Sequence, residues 1–323
     1  MSGPDDAGCD QQGRPMEAPV TRLVVPSFGI KTTPADVGYD EIRRVWLEAD
    51  GIPEIEHAWL YDHLLPNHRG RVGDPSGPVY EGWTLLTALA AQTRRLRFGL
   101  LVTNNRIRLP AVLAKIAATV DVISDGRLDF GIGVGGLPNA ALVAPEYDAY
   151  GIPIGPWSDA VASFVEACTL IRRMWTEEVV DFDGSYYQLK GARCNPKPVQ
   201  RPCPPILIGG SGRATLRIAA EHADIWNAIG PPSNTVEHLS ERSAILDEQC
   251  EAIGRDPGLI VRSVQLPVSY EDPTSTRETL RQLVGAGFSH LVLNLPAPYP
   301  NDVARWVADE LIIPTLGHPH LIR

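Results

Sequence analysis

Between Arg108 and Gly136 the chain reads RLPAVLAKIAATVDVISDGRLDFGIGVGG, a helix that leads directly into a short apolar strand ending in glycines. Pro110 suits a first helical turn, where its missing N–H would have no partner anyway, and Leu113, Ile116, Ala117, Val120 and Ile123 recur at helical spacing. One face of this helix is therefore built for burial. Ser124, Asp125 and Gly126 stop it, with Gly126 free to adopt the left-handed backbone that a helix end commonly needs. Leu128 to Ile132 then reads as a parallel strand covered by helices, and it runs into Gly133, Gly135 and Gly136. Glycines at such a strand end let a flat or charged ligand approach bare backbone.

The same alternation recurs along the chain. Strand patterns fall at Arg22 to Phe28, Ala58 to Tyr61, Arg97 to Val102, Leu128 to Ile132, Pro205 to Ile208, Asp224 to Trp226, Ile260 to Val268 and His290 to Leu295. Helical patterns follow at Tyr39 to Asp50, Trp83 to Gln92, Pro110 to Ile123, Ser158 to Trp175, Ala214 to His222, Val236 to Ile253, Ser275 to Gly285 and Asp302 to Leu311. Strict alternation implies parallel strands joined by right-handed crossovers, and eight such units make a (β/α)8 TIM barrel of the α/β class. A doubly wound open sheet would carry its glycine fingerprint after the first strand, whereas the glycine runs here follow the fourth and fifth. One barrel domain over about 21–318 is the expectation, preceded by a disordered tail at 1–20 that lacks the apolar run of a signal peptide. Insertions at 137–157 and 176–204 are placed to cover the barrel mouth, with Trp157, Trp175, Tyr186 and Tyr187 either walling it or packing on its side.

The totals exclude several classes of partner. A chain of 323 residues that is 44% hydrophobic has material for a large core. Its net charge of −10 argues against nucleic acid and anionic membranes, which call for clustered Lys and Arg. No run approaches membrane-spanning length. Cys9, Cys168, Cys194, Cys203 and Cys250 show no metal-ligand spacing, and an odd, scattered set suits reduced thiols in the cytoplasm.

In a barrel of this kind the loops after the strands build the active site. Those loops carry Asp62 and His63 after the second strand and Thr103, Asn104 and Asn105 after the third; Gly133, Gly135 and Gly136 follow the fourth, Gly209, Gly210, Ser211 and Arg213 the fifth, and Asn227 the sixth. Gly209 to Gly212 precede a helix, so free N–H groups and the helix dipole form a natural anion cradle to which Arg213 adds charge. A plain loop is the competing reading of these glycines.

The helix and its glycine strand resemble the luciferase-like monooxygenase superfamily, and within it the oxidoreductases that use coenzyme F420. The resemblance rests on the Arg-x-Pro start at Arg108 and Pro110, the Ala-Lys-x-Ala-x-Thr-x-Asp helix from Ala114 to Asp121, the Ser-x-Gly-Arg turn from Ser124 to Arg127, and the glycine strand from Gly131 to Gly135. Asn195 to Asn227 and Gly285 to Pro300 agree with the second half, so the likeness runs from about Arg22 to Leu316.

The resemblance implies that His63, in WLYDHLLP, lies beside the reactive carbon of a deazaflavin and handles a proton, a task suited to an imidazole. The plain alternative is a histidine that bonds a neighbouring carbonyl. Asp62 would orient that imidazole or bond the cofactor ring, unless it pairs with Arg69 or Arg71. Thr103, Asn104 and Asn105 would face the ring edge, near a non-proline cis peptide within Leu101 to Asn104. The glycines at 133, 135, 136, 209 and 210, with Ser211 and Arg213, would hold the cofactor, Arg106 and Arg108 being further candidates for its anionic tail.

Two departures stand out. A catalytic Glu that sugar-phosphate dehydrogenases of the superfamily carry aligns with about Gly136, and Asn67 replaces an aromatic residue of the same enzymes. Sugar-phosphate oxidation is therefore not expected. A second acid would come from Glu81 or Glu146, both discounted because surface carboxylates are common.

The resulting expectation is an F420-dependent oxidoreductase acting on a small organic substrate, assembled as a homodimer. The alternatives are an FMN-dependent monooxygenase using oxygen and a separate reductase, and a cofactor-binding barrel without catalysis.

Overall fold

A computed structural model describes residues 25–68, 71–74, 76–137, 140–141 and 143–317; the expected tail at 1–20 lies outside them. Eight strands carry the architecture: β1 Ser27–Lys31, β2 His57–Leu60, β3 Arg97–Leu100, β4 Phe130–Gly133, β5 Ile206–Gly209, β6 Ile225–Ile229, β7 Val261–Pro267 and β8 His290–Asn294. Their order is β3-β2-β1-β8-β7-β6-β5-β4, every pairing parallel. Thr103–Asn104, just past β3, pairs with Ile132 and Gly133 of β4, and the Phe98 backbone exchanges hydrogen bonds with Arg127 and Asp129. The two ends of the sheet thus meet and the ring closes as a TIM-type barrel.

Helices α1 Tyr39–Asp50, α2 Gly82–Ala90, α3 Pro110–Ile123, α4 Val143–Tyr150, α5 Trp157–Thr176, α6 Arg213–His222, α7 Val236–Ala252 and α8 Pro273–Gly285 connect the strands. A C-terminal helical segment at 303–316 includes a π-helical stretch at Val307–Ile312. α3 forms as the sequence implies, with Pro110 in its first turn and Gly126 at φ +80° just past its end.

Strand residues alternate between two apolar clusters, as the two-residue period of a pleated strand requires. Phe28, Ile30, Ala58, Leu60, Phe98, Leu100, Phe130, Ile132, Ile206, Ile208, Leu291 and Leu293 pack outward into the main core under the helices. Trp59, Leu101, Leu207, Ile225 and Val292 form a smaller cluster within the barrel. The rest of the interior is polar. His57 and His290 stack with centroids 3.9 Å apart, and Ser263, Asn227 and Gln265 continue a hydrogen-bonded chain up to Lys31.

The first strand differs from expectation: it spans Ser27–Lys31, whereas the sequence pattern favoured Arg22 to Phe28. Pro26 removes a donor and Gly29 breaks the apolar run, which hides the strand. Gly29 is needed there because a Cβ would lie 1.7 Å from His57 Nδ1. α4 is also unanticipated, since VAPEYDAY lacks clear periodicity and contains Pro145; that proline lies in the first turn, where it is tolerated. The second insertion carries an antiparallel hairpin, Val180–Asp183 with Gln188–Ala192. Trp175 does not line the mouth. It is buried edge-to-face on Phe130, its Nε1 donating to the Ala114 carbonyl at 2.9 Å.

Candidate active site

The rim of the barrel is organised around a buried ion-pair cluster. Asp62, immediately after β2, receives both arms of Arg108, Nη1 to Oδ2 at 2.7 Å and Nη2 to Oδ1 at 2.9 Å. Arg108 also contacts Glu81, which caps α2 by accepting from the Trp83 and Thr84 amides. Burial works against the Arg108 cation, and the two carboxylates more than offset it, so its pKa lies above the usual value. Asp62 Oδ2 accepts from the Asn104 amide at 3.0 Å as well. Asp62 is therefore a clamp joining the loop after β2 to the loop after β3; its described partner is Arg108, which leaves Arg108 little freedom as an anion ligand.

His63 has a partner of its own. Its Nδ1 lies 3.2 Å from both Oε1 and Oε2 of Glu146, whose side chain is fully buried. The Leu64 amide donates to Oε1 at 2.5 Å and the Leu65 amide at 3.4 Å. The discount placed on Glu146 as a surface carboxylate is corrected here. α4 brings it inward, and its neighbour Tyr147 shares a hydrogen bond of 2.8 Å with the Asn104 amide group. A single turn of the insertion thus pins the loops after β2 and β3 simultaneously. Glu81, the other acid considered, is the α2 cap.

The peptide between Leu101 and Val102 is cis and lies between β3 and its short continuation. Val102 projects across the ends of β4 and β5: a Cβ on either Gly133 or Gly209 would approach a Val102 methyl to 2.8 Å. The space that a side chain on either glycine would need is taken by Val102. Gly135 has φ +91°, and a Cβ on it would sit 2.5 Å from Asn104 Oδ1. Gly136 packs against Val143 at the start of α4.

Several buried polar groups have no hydrogen-bond partner among the described residues. Thr103 Oγ1, Asn105 Oδ1 and Asn294 Oδ1 are buried without a hydrogen-bond partner, although Asn105 Nδ2 reaches the Tyr187 hydroxyl at 3.4 Å. Buried polar atoms left this way are costly, and a bound molecule that pairs with them relieves the cost. Past β5, Gly210 has φ +126° and its carbonyl accepts from Trp226 Nε1 at 2.8 Å. Gly212 caps α6 with no side-chain acceptor, leaving the first-turn amides open, and Ser211 and Arg213 have no polar partner among the described residues. Arg106 stacks over the Tyr147 ring at 5.3 Å and donates to the Pro153 carbonyl.

Apart from Asn227, which lies within β6 and bonds Ser263 and Gln265 in the barrel interior, the residues singled out from the sequence gather on the β2–β5 side of the mouth. Glu146, Tyr147 and Val102 complete that side. The acid–aromatic pair in an insertion over the mouth was the available signal for the first two; for Val102 it was the cis peptide that the resemblance implies within Leu101 to Asn104, found at Leu101–Val102. No group of three or more His, Cys, Asp or Glu among the described residues could hold a metal. The described cysteines, 168, 194, 203 and 250, are free and buried, and no described helix is long and apolar enough to cross a membrane.

Comparison with known proteins places this geometry in context. The model of the luciferase-like monooxygenase family matches residues 34–309. An F420-dependent glucose-6-phosphate dehydrogenase of Kineococcus radiotolerans is 30% identical over 230 residues, 70% of this chain and 64% of that protein. A phthiodiolone/phenolphthiodiolone dimycocerosates ketoreductase of Mycobacterium kansasii is 33% identical over 247 residues, 70% of this chain and 63% of the relative. The chain thus spans slightly less than two thirds of these relatives. Among solved structures, an F420-dependent secondary alcohol dehydrogenase in complex with an F420-acetone adduct superposes with a TM-score of 0.74 at 16% identity, covering 90% of this chain and 99% of that one, a likeness of fold. With most of its length matched by the family model, the chain belongs to the luciferase-like monooxygenase family.

Proposed function

We propose that the protein is a coenzyme F420-dependent oxidoreductase that exchanges hydride with a small organic substrate at the barrel mouth. The observation that carries this reading is the His63–Glu146 pair, a histidine held by a buried carboxylate where barrel enzymes place their chemistry. The F420-dependent relative supports the choice of cofactor. The residues present fit such a group: Thr103 and Asn105 offer unpaired buried oxygens to a heteroaromatic ring edge, Val102 provides an apolar surface beside them, and the open amides of α6 with Ser211 and Arg213 suit an anionic tail.

The deazaflavin, when bound, supplies the site for hydride exchange. The chain supplies positioning and proton handling. Glu146 accepts from His63 Nδ1–H, so the lone pair of the neutral imidazole resides on Nε2, the atom available to take a proton from a substrate hydroxyl or return one. Glu146 is in turn fixed by the Leu64 and Leu65 amides, so the imidazole is oriented before substrate arrives. Asp62 acts through the backbone, holding Asn104 in place. The described cysteines, unpaired and buried, accord with a cytoplasmic enzyme, and a homodimer is the expected assembly, measurable by light scattering.

Anaerobic titration with F420 and with FMN, followed by absorbance, tests the reading. It predicts saturable F420 binding and turnover without oxygen. Preference for FMN with oxygen-dependent turnover would establish a monooxygenase instead, and binding without any activity dependent on His63 would leave a non-catalytic barrel.

A further inference from the structure

Lys31 is the last residue of β1 and belongs to the set that alternates with the outward-packed Phe28 and Ile30, so it lies at the upper end of the barrel interior. Its Nζ donates to Gln265 Oε1 at 2.5 Å and stands 6.0 Å from the centre of the Tyr61 ring. Tyr61 in turn lies 5.5 Å from the His63 ring, so one aromatic side chain separates the ammonium from the imidazole. The other cations on the barrel strands have acids: Arg97 pairs with Asp129 and Arg262 with Asp247. Lys31 has no carboxylate partner among the described residues. Neutral groups surround it, Gln265 and Asn227 from β7 and β6 and Tyr61 from beyond β2, with the neutral His290 deeper along the same hydrogen-bonded chain.

A cation left among neutral dipoles is costly to the fold, and a structural lysine would gain more from an acid than from an amide. The neighbouring strand adds an independent observation. Asn294 is the Cα register partner of Lys31 across β1 and β8, and its Oδ1 is buried with no hydrogen-bond partner among the described residues. An ammonium without an acid and an acceptor oxygen without a donor thus lie at adjoining strand ends, opposite the β2–β5 rim; the oxygen calls for a donor, such as a hydroxyl, on the molecule whose anionic group Lys31 would take. Resting on the oxidoreductase reading above, we infer that Lys31 anchors the substrate through a carboxylate, so that the molecule reacting beside His63 is an organic acid. Burial holds Lys31 at a pKa of about 8, so the anchor is charged at neutral pH and is lost in mild alkali.

Calorimetric titration of the full-length protein with benzoate, its uncharged analogue benzamide, and inorganic phosphate tests this. Benzoate should bind the wild type at least roughly tenfold more tightly than benzamide or phosphate, a gap of about 1.4 kcal/mol. Its affinity should fall roughly eightfold from pH 7.5 to 9 as the ammonium deprotonates. Lys31→Met, which removes an uncompensated charge and should fold, is expected to lose benzoate binding, whereas Lys31→Arg retains it. Equal benzoate affinity in wild type and Lys31→Met, no binding to wild type, equal binding of benzamide, or tighter binding of phosphate would each overturn the assignment. F420 should bind Lys31→Met normally. If the wild type bound no F420 while benzoate binding still required Lys31, the oxidoreductase reading would fall and the carboxylate site would stand.

Discussion

Replacing Glu146 by Gln changes one atom and reverses the logic of the site. In the native arrangement the carboxylate accepts from His63 Nδ1 and from the Leu64 and Leu65 amides, so every group facing it is a donor. A glutamine has one acceptor oxygen. With that oxygen kept by the Leu64 amide, its NH2 faces His63 Nδ1, which must then become an acceptor, and the ring proton moves to Nε2. A hydrogen bond to a charged group is worth about 1.5 to 3 kcal/mol, so the productive tautomer should become roughly 10- to 150-fold rarer. The substitution preserves shape, and the fold should survive. Long-range proton–nitrogen NMR of the imidazole reads the tautomer without any substrate: the wild type should carry its proton on Nδ1 and Glu146→Gln on Nε2. Turnover should fall by a similar factor, while F420 affinity changes little. An unchanged tautomer together with unchanged turnover would refute the role given to Glu146.

Other expectations follow from the barrel interior and rim. Burial, and for His57 the neighbouring imidazole as well, holds His57 well below its ordinary pKa, and burial brings His290 to about 4. Both therefore stay neutral in the fold while the unfolded chain takes up protons below about 6.5, so stability should fall between pH 6.5 and 4, by about 3 kcal/mol for His290 alone, read from denaturant midpoints. Asp62→Asn should cost about 2 to 3 kcal/mol by leaving the buried Arg108 with only Glu81, a loss visible in thermal melts, and no loss would count against the clamp. Gly133→Ala should destabilise by about 1 to 3 kcal/mol because the new methyl meets Val102, and Val102→Ala in the same chain should restore most of that; absence of rescue would show that Val102 does not fill the space.

How much of this was legible from residues follows from what each element depends on. The barrel was readable because helices such as α3 and strands such as β4 each repeat a local period, and eight repetitions of one unit leave few topologies. β1 slipped because Gly29 answers a tertiary demand, room for the His57 ring, which local pattern does not express. His63 was accessible through its motif and strand-end position. Its partner was not, since the burial of Glu146 depends on how α4 folds over the mouth, some eighty positions along the chain. The glycines at 133 and 209 stand out in the sequence, but that Val102, beside the cis peptide the resemblance implies, fills their space depends on how β3 meets β4 and β5. Asp62 and Arg108 were each noted, and only the fold shows that they are partners.

The most direct measurement is a crystal structure of the protein with F420. The account predicts the deazaflavin ring seated over Val102 and against Thr103 and Asn105, facing the His63 imidazole, with its anionic tail toward the loop at 209–213. A cofactor bound away from His63, or a mouth that excludes it, would contradict the account.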